Sequence, residues 1–155
     1  MEKREIPVRE ATVEDAPLIA RLLHDFNTEF EAETPGVAEL TRHATRMLEQ
    51  GAMTVLLGGQ GPDGLALLRF RPSVWTEKQE VYLQELYVAP PLRGRGIGQA
   101  LLEAAIAISR ERGAAWIELS TAVTDHAARA LYAKLGFTNE EGPGGPAMLY
   151  YELEL

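Results

Sequence analysis

Glu85-Leu86-Tyr87-Val88-Ala89-Pro90-Pro91-Leu92-Arg93-Gly94-Arg95-Gly96-Ile97-Gly98-Gln99-Ala100-Leu101-Leu102 is the stretch whose reading decides the fold of this chain. Its first residues belong to an extended run, Glu80 to Val88, that ends where Pro90-Pro91 removes two ladder donors. From Ile97 to Arg112 the apolar residues Ile97, Leu101, Ala104, Ala105 and Ile108 recur at helical spacing, and Gly113 closes the helix. A strand end and a helix start are therefore joined by a loop holding Gly94, Gly96 and Gly98. The first turn of a helix leaves four N–H groups without intrahelical acceptors and carries about half a positive charge. Glycine lets a ligand approach that backbone with no Cβ in the way. The combination suits a phosphate group, and Arg93 and Arg95 add fixed positive charge at the same mouth.

Working outward, Ile6 to Arg9 alternates as a short first strand, and Thr12 stands as N-cap before Glu14 and Asp15. Leu18, Ile19, Leu22, Leu23 and Phe26 give the helix that follows one apolar face. Asn27 to Gly36 is an acidic connection, and a second helix runs to about Gln50 on Val37, Leu40, Ala44 and Met47. Met53 to Leu57 and Leu65 to Arg71 form a hairpin across the turn residues 58–64. After the central loop and helix come a strand, Trp116 to Ser120, and a helix from Asp125 to Leu135. In that helix Asp125 is the N-cap and Gly136 the left-handed C′ residue, with Phe137 placed to cover Leu131. A Gly- and Pro-rich loop, Asn139 to Pro146, leads to an alternating terminal strand, Met148 to Leu155. The expected fold is α/β in the α+β sense: a mixed, mostly antiparallel sheet of about six to seven strands, with about four helices, as one domain over residues 1–155.

A chain of 155 residues can bury roughly two-thirds of its unfolded surface, which is enough for one core without staples. Zero cysteines exclude disulfides, a thiolate nucleophile and sulfur-ligated zinc. The net charge of −8 repels phosphate backbones and anionic lipid, so nucleic acid and membrane are not expected partners. Met1 to Glu10 lacks a signal-peptide core and no apolar run reaches the roughly 20 residues of a membrane span, which points to a cytoplasmic protein. His24, His43 and His126 fall in no ligand spacing, so no metal is expected.

At the central loop two phosphate motifs fail. Counted from Gly94, the dinucleotide pattern G-x-G-x-x-G meets Gln99; counted from Gly96, it meets Leu101. The P-loop needs Gly-Lys, which occurs nowhere in the chain. What remains is Arg93-x-x-Gly96-x-Gly98, flanked by Leu86-Tyr87-Val88-Ala89-Pro90 and followed later by Ala128-Arg129-Ala130-Leu131-Tyr132-Ala133-Lys134-Leu135-Gly136-Phe137. Here the sequence resembles the GNAT superfamily of N-acetyltransferases, whose acetyl-CoA pyrophosphate loop reads Arg or Gln, two residues, Gly, one residue, Gly or Ala. The order of elements agrees from Ile6 onward.

The resemblance implies acetyl-CoA as co-substrate and the backbone N–H groups of Arg93, Gly94, Arg95, Gly96, Ile97, Gly98 and Gln99 as its pyrophosphate cradle. The two arginine side chains would lend electrostatic support. It implies that Leu86, Tyr87 and Val88 present backbone groups to the pantetheine arm. Tyr132 matches the family's general acid, a phenol that is protonated at neutral pH and can donate to the leaving thiolate. Strict alternation places Val81, Leu83, Glu85 and Tyr87 on one face of the strand, with Glu85 among apolar neighbours. Glu85 is the candidate base for an ammonium whose pKa is about 10, acting directly or through water. Where the family commonly has Asn, this chain has Asp125 seven residues before the tyrosine. Its contact with the cofactor, and compensation of its charge by Arg129, stay open.

Residues 1–50 hold eleven acids against six bases. The family builds its acceptor site largely from this region, so a cationic amine, either a small molecule or a protein amine, is the expected acceptor, with Asp25, Glu29, Glu31 and Glu33 as candidate contacts. The alternative is a non-catalytic acyl-CoA-binding or sensing module of the same fold. The acceptor, the acyl-chain length and the oligomeric state, a homodimer included, are not fixed by these patterns.

Overall fold

The computed structural model describes residues 4–155; the first three residues of the expected N-terminal reading lie outside them. It comprises two compact units, one ending at Glu118 and one spanning residues 119–155.

The first unit holds a single sheet in the order β1-β2-β3-β4-β5, made of β1 (Val8–Glu10), β2 (Thr54–Gly58), β3 (Gly64–Pro72), β4 (Gln79–Val88) and β5 (Ala114–Glu118). Its first four strands are antiparallel neighbours and β5 runs parallel to β4, as the strand-helix-strand unit requires. Three helices belong to this unit: α1 (Ala16–Glu29), α2 (Val37–Glu49) and α3 (Ile97–Glu111). Ala16, Ile19 and Leu22 of α1 and Ala44 of α2 pack with Val55, Leu57, Leu65, Leu67 and Tyr87. The next residues along the strands, Gly58 and Gly64, pair with each other and face α3: a Cβ on either would lie within 3.3 Å of Leu101. Two glycines thus make the hollow into which Leu101 seats. With α1 and α2 on one face and α3 on the other, the unit has three layers.

Expected and observed elements differ at several points. The first strand begins at Val8, not Ile6. Thr12 precedes a short 3₁₀ turn, Val13–Asp15, before α1 starts. Its amide donates to the Asp15 carboxylate (2.8 Å), onto which Arg9 also forks with both terminal nitrogens at 2.8 Å. The Arg9 bond leads a set of causes that hold the Asp15 pKa down at about 2. The buried stripe of α3 is Ile97, Leu101, Leu102, Ala105 and Ser109, rotated from the expected one; Ser109 is satisfied by the Ala105 carbonyl at 2.7 Å.

The largest correction concerns β4. Leu83 pairs with Leu68 and Glu85 with Leu67, so Gln84 is an extra residue, a bulge. Cross-strand partners share a face, and Leu67 and Leu68 point to opposite faces. Glu85 and Tyr87 therefore lie on the α1/α2 face, whereas Val81, Leu83, Leu86 and Val88 lie on the α3 face. The expected common face of Val81, Leu83, Glu85 and Tyr87 does not exist.

The second unit contains α4 (His126–Lys134). Asp125 caps it by accepting from the Ala128 amide at 3.2 Å. Gly136, at φ 94°, ends it in a Schellman arrangement, with Phe137 N–H bonded to Tyr132 O and Gly136 N–H to Ala133 O. The ring of Phe137 stacks on Tyr132, centroids 5.9 Å apart, where Leu131 was the expected partner. The expected strand Met148 to Leu155 is not formed. Within this unit its neighbour is the short 137–140 segment, and pairing stops at one bridge, Glu140 with Ala147, plus the bond from Met148 N–H to Asn139 O. Alternation marks a segment able to pair, but a strand needs a ladder. The sheet accordingly counts five strands, where six to seven were expected.

Candidate functional site

β4 is bonded to β3 along its whole length but to β5 only from Gln79 to Tyr82. Beyond that point the β5-side edge of residues 83–88, which includes Leu86, Tyr87 and Val88, has no ladder partner in the sheet. The chain then turns through Pro90–Leu92, with Leu92 N–H bonded to Ala89 O at 2.9 Å and Arg93 N–H to Pro90 O at 3.3 Å. Gly94 (φ 76°) and Gly96 (φ 89°) take left-handed conformations that an L side chain resists. The first helical bond of α3 runs from Ala100 N–H to Gly96 O at 3.0 Å.

Between these two ends, the main-chain N–H groups of Gly94, Arg95, Gly96, Ile97 and Gly98 donate to no acceptor among the described residues. Five consecutive donors at the positive end of a 15-residue helix form an anion cradle. A Cβ at Gly94 would meet nothing within 4 Å, so the mouth is open there. Of the seven amides expected to form the cradle, Arg93 through Gln99, that of Arg93 is bonded to Pro90 O, and the continuous open run is Gly94 to Gly98.

The two arginines part company. Arg95 is exposed and makes no hydrogen bond or ion pair among the described residues. Arg93 is held on three sides: its Nε donates to Val88 O at 3.0 Å, one Nη donates to both Glu29 carboxylate oxygens at 2.8 and 2.6 Å, and its guanidinium lies 5.7 Å from the centre of the Tyr87 ring. Phe26 meets the same ring edge-on at 5.1 Å. Of the four expected acceptor contacts, Glu29 is therefore engaged with Arg93. Asp25 and Glu29 both act electrostatically on the Tyr87 phenol, whose pKa is raised, chiefly by burial. Glu31, at φ 54°, and Glu33, whose carbonyl accepts from Asn27 at 3.3 Å, lie on the exposed connection after α1.

Glu85 shares the Tyr87 face, half-buried opposite Leu67, its carboxylate making no hydrogen bond or ion pair among the described residues. Desolvation raises its pKa, the direction a general base requires. In the second unit, burial, followed by the charge of Asp125, raises the Tyr132 pKa, which keeps the phenol protonated. Arg129 donates to Val123 O at 2.8 Å, and Asp125 is spent on its capping bond. The compensation imagined between their charges is not formed as an ion pair.

Three features escaped the sequence reading. The bulge at Gln84 and the Glu29–Arg93 pair have no local signature. Gly64, opposite Val88, reads in the sequence only as a turn residue. The hairpin stretch Gly59-Gln60-Gly61-Pro62-Asp63-Gly64 does satisfy G-x-G-x-x-G, but it joins β2 to β3 and leads into no helix.

A profile of the acetyltransferase (GNAT) family matches residues 19–137. The chain belongs to that family. Among solved structures, a candidate acetyltransferase from Arthrobacter sp. FB24 superposes with a TM-score of 0.89 and 46% identity over 96% of each chain. An aminoglycoside acetyltransferase from a soil metagenome, in complex with sisomicin, superposes at 0.77 with 21% identity, over 96% of this chain and 97% of that one, a likeness of fold alone. Thialysine N-ε-acetyltransferase of Bos taurus is 32% identical over 54% of this chain and 51% of its own. An uncharacterized N-acetyltransferase of Methanocaldococcus jannaschii is 42% identical over 42% of this chain, and the match spans 29% of its length. The chain thus spans about half or less of the length of these curated relatives. Among the described residues no helix is long and apolar enough to cross a membrane.

Proposed function

We propose that the chain, working as one domain, is an acetyl-CoA-dependent N-acetyltransferase whose acceptor is a primary amine carrying positive charge. The observation that carries this reading is the run of five unpaired main-chain donors at residues 94–98, set at the end of a strand whose outer edge is open. Acetyl-CoA supplies an activated thioester when bound. The amides of 94–98 hold its diphosphate, and the free edge of residues 86–88 takes the pantetheine arm in the manner of an added strand. Glu85 accepts the ammonium proton of the acceptor, so that a neutral amine attacks the thioester carbon, the C–N bond forms and the C–S bond breaks. Tyr132 Oη gives its proton to the departing sulfur and takes back the second proton that the nitrogen sheds as the amide forms. Orientation of the two substrates supplies much of the acceleration.

The acceptor is assigned by charge. Among the described residues Asp25, Glu31 and Glu33 leave unpaired or weakly paired carboxylates at the end of α1 and just beyond it, a field that draws a cation. The relative named thialysine N-ε-acetyltransferase supports an amine acceptor. The reading includes a cytoplasmic location. Thiol release from acetyl-CoA across a panel of polyamines, aminoglycosides and lysine or N-terminal peptides tests it, with mass spectrometry of the product. Amine-dependent thiol release with a mass gain of one acetyl group is expected. Coenzyme A binding without thiol release for any amine would instead identify a non-catalytic module.

A further inference from the structure

We propose that Glu29 and Arg93 form a brace that positions the diphosphate cradle, Arg93 serving the loop from behind and not as a ligand of the diphosphate. This rests on the donor-site reading above. The amides of residues 94–98 donate no main-chain hydrogen bond among the described residues, so the aim of these donors is set by how the two ends of the segment are held. At the far end Ile97 is buried and the bond from Ala100 N–H to Gly96 O opens the helix. The near end is Arg93, whose amide makes only a 3.3 Å bond to Pro90 O.

The side chain of Arg93 supplies the rest of that anchor. It lies over Tyr87, on the α1/α2 face of the sheet, while the helix that carries the cradle packs on the other face. There it makes three contacts on two elements: Val88 O and the buried Tyr87 ring at the end of β4, and Glu29, the last residue of α1. Glu29 and Arg93 are 64 residues apart, so the pair fastens the acceptor-side helix to the donor loop. A guanidinium with a carboxylate on it offers little net charge to an incoming anion. Its fork geometry, which lysine lacks, is what the three contacts use. A cradle ordered in advance loses less entropy when its ligand binds.

The test is calorimetric titration of the full chain with coenzyme A, which requires no knowledge of the acceptor. Glu29→Gln and Arg93→Gln are each expected to weaken binding about two- to fivefold, as befits a partly exposed pair. The double variant should bind no worse than either single one, because both remove the same brace. Arg93→Lys should fail to restore affinity, since an ammonium keeps the charge but not the fork. Melting temperatures should stay within a few degrees of wild type. Tighter binding in Glu29→Gln together with weaker binding in Arg93→Gln would overturn the proposal, making Arg93 a diphosphate ligand that Glu29 merely neutralises. Unchanged affinity in Glu29→Gln would overturn it by returning Glu29 to the acceptor. Wild-type protein that binds no coenzyme A would overturn the donor-site reading itself, and the brace with it.

Discussion

Gly64→Ala should damage both stability and donor binding, and the geometry states by how much. A Cβ built on Gly64 would lie 2.6 Å from Tyr87 O, 3.2 Å from a Val88 methyl and 3.3 Å from Leu101 Cδ1. Real Cβ atoms essentially never approach closer than 3.0 Å, so β3 and β4 must part by at least the difference between 3.0 and 2.6 Å, which is 0.4 Å. The nearest atom is backbone, which cannot swing aside as a side chain would. Overpacking of this kind costs about 1–3 kcal/mol. For a domain of this size each kcal/mol lowers the melting temperature by roughly 2–4 °C, giving a fall of between about 2 and 12 °C. Gly64 has no positive φ, so none of this loss is conformational strain. The carbonyl displaced belongs to Tyr87, in the segment assigned to the pantetheine arm, and coenzyme A affinity should drop alongside stability. Differential scanning calorimetry and coenzyme A titration of the same preparation measure both. A variant that melts within a degree of wild type and binds coenzyme A equally would refute the close approach of β3 to the end of β4.

Three further outcomes are expected. Tyr132→Phe should lower turnover by roughly a hundredfold or more while coenzyme A affinity stays within about twofold; normal turnover would remove the phenol from the acid role. Glu85→Gln should lower turnover and abolish the acidic limb of the pH–rate profile, since only the carboxylate accepts a proton. The folded-state pKa of Glu85 is raised, so its stabilising effect is full below the unfolded value and lost as pH rises through the folded one. The same variant should therefore melt higher than wild type at neutral pH, and a lower melting point there would contradict the desolvated carboxylate. Asp15→Asn should destabilise the protein at neutral pH, because the depressed pKa of Asp15 contributes stability that is present above its unfolded value and lost as pH falls from about 4 to about 2. Acid-melting curves of the two proteins should converge over that interval, and parallel curves would refute the Arg9 fork.

What was legible in the sequence was what repeats locally. The stripes of α1 and α2, the Gly136 stop and the strand–glycine–helix junction at residues 88–97 are all written in neighbouring residues, and each is found within a residue or two of its expected place. The bulge was not legible because alternation counts residues and cannot say which one the partner strand skips. That single insertion at Gln84 carries Glu85 to the face where α1 packs. Nor was the Glu29–Arg93 pair, because spacing carries no information about a partner 64 residues away. The terminal alternation of 148–155 shows the opposite failure: the pattern is real, yet a pattern supplies no partner strand.

The central claim is that the amides of residues 94–98 grip a diphosphate. The most direct measurement is a titration of ¹⁵N-labelled full-length protein with coenzyme A, followed by amide resonances. Saturable shifts that are largest for Gly94, Arg95, Gly96, Ile97 and Gly98, and that pantetheine lacking the diphosphate does not reproduce, are the predicted result. Resonances of these five that stay fixed at saturating coenzyme A would contradict the account.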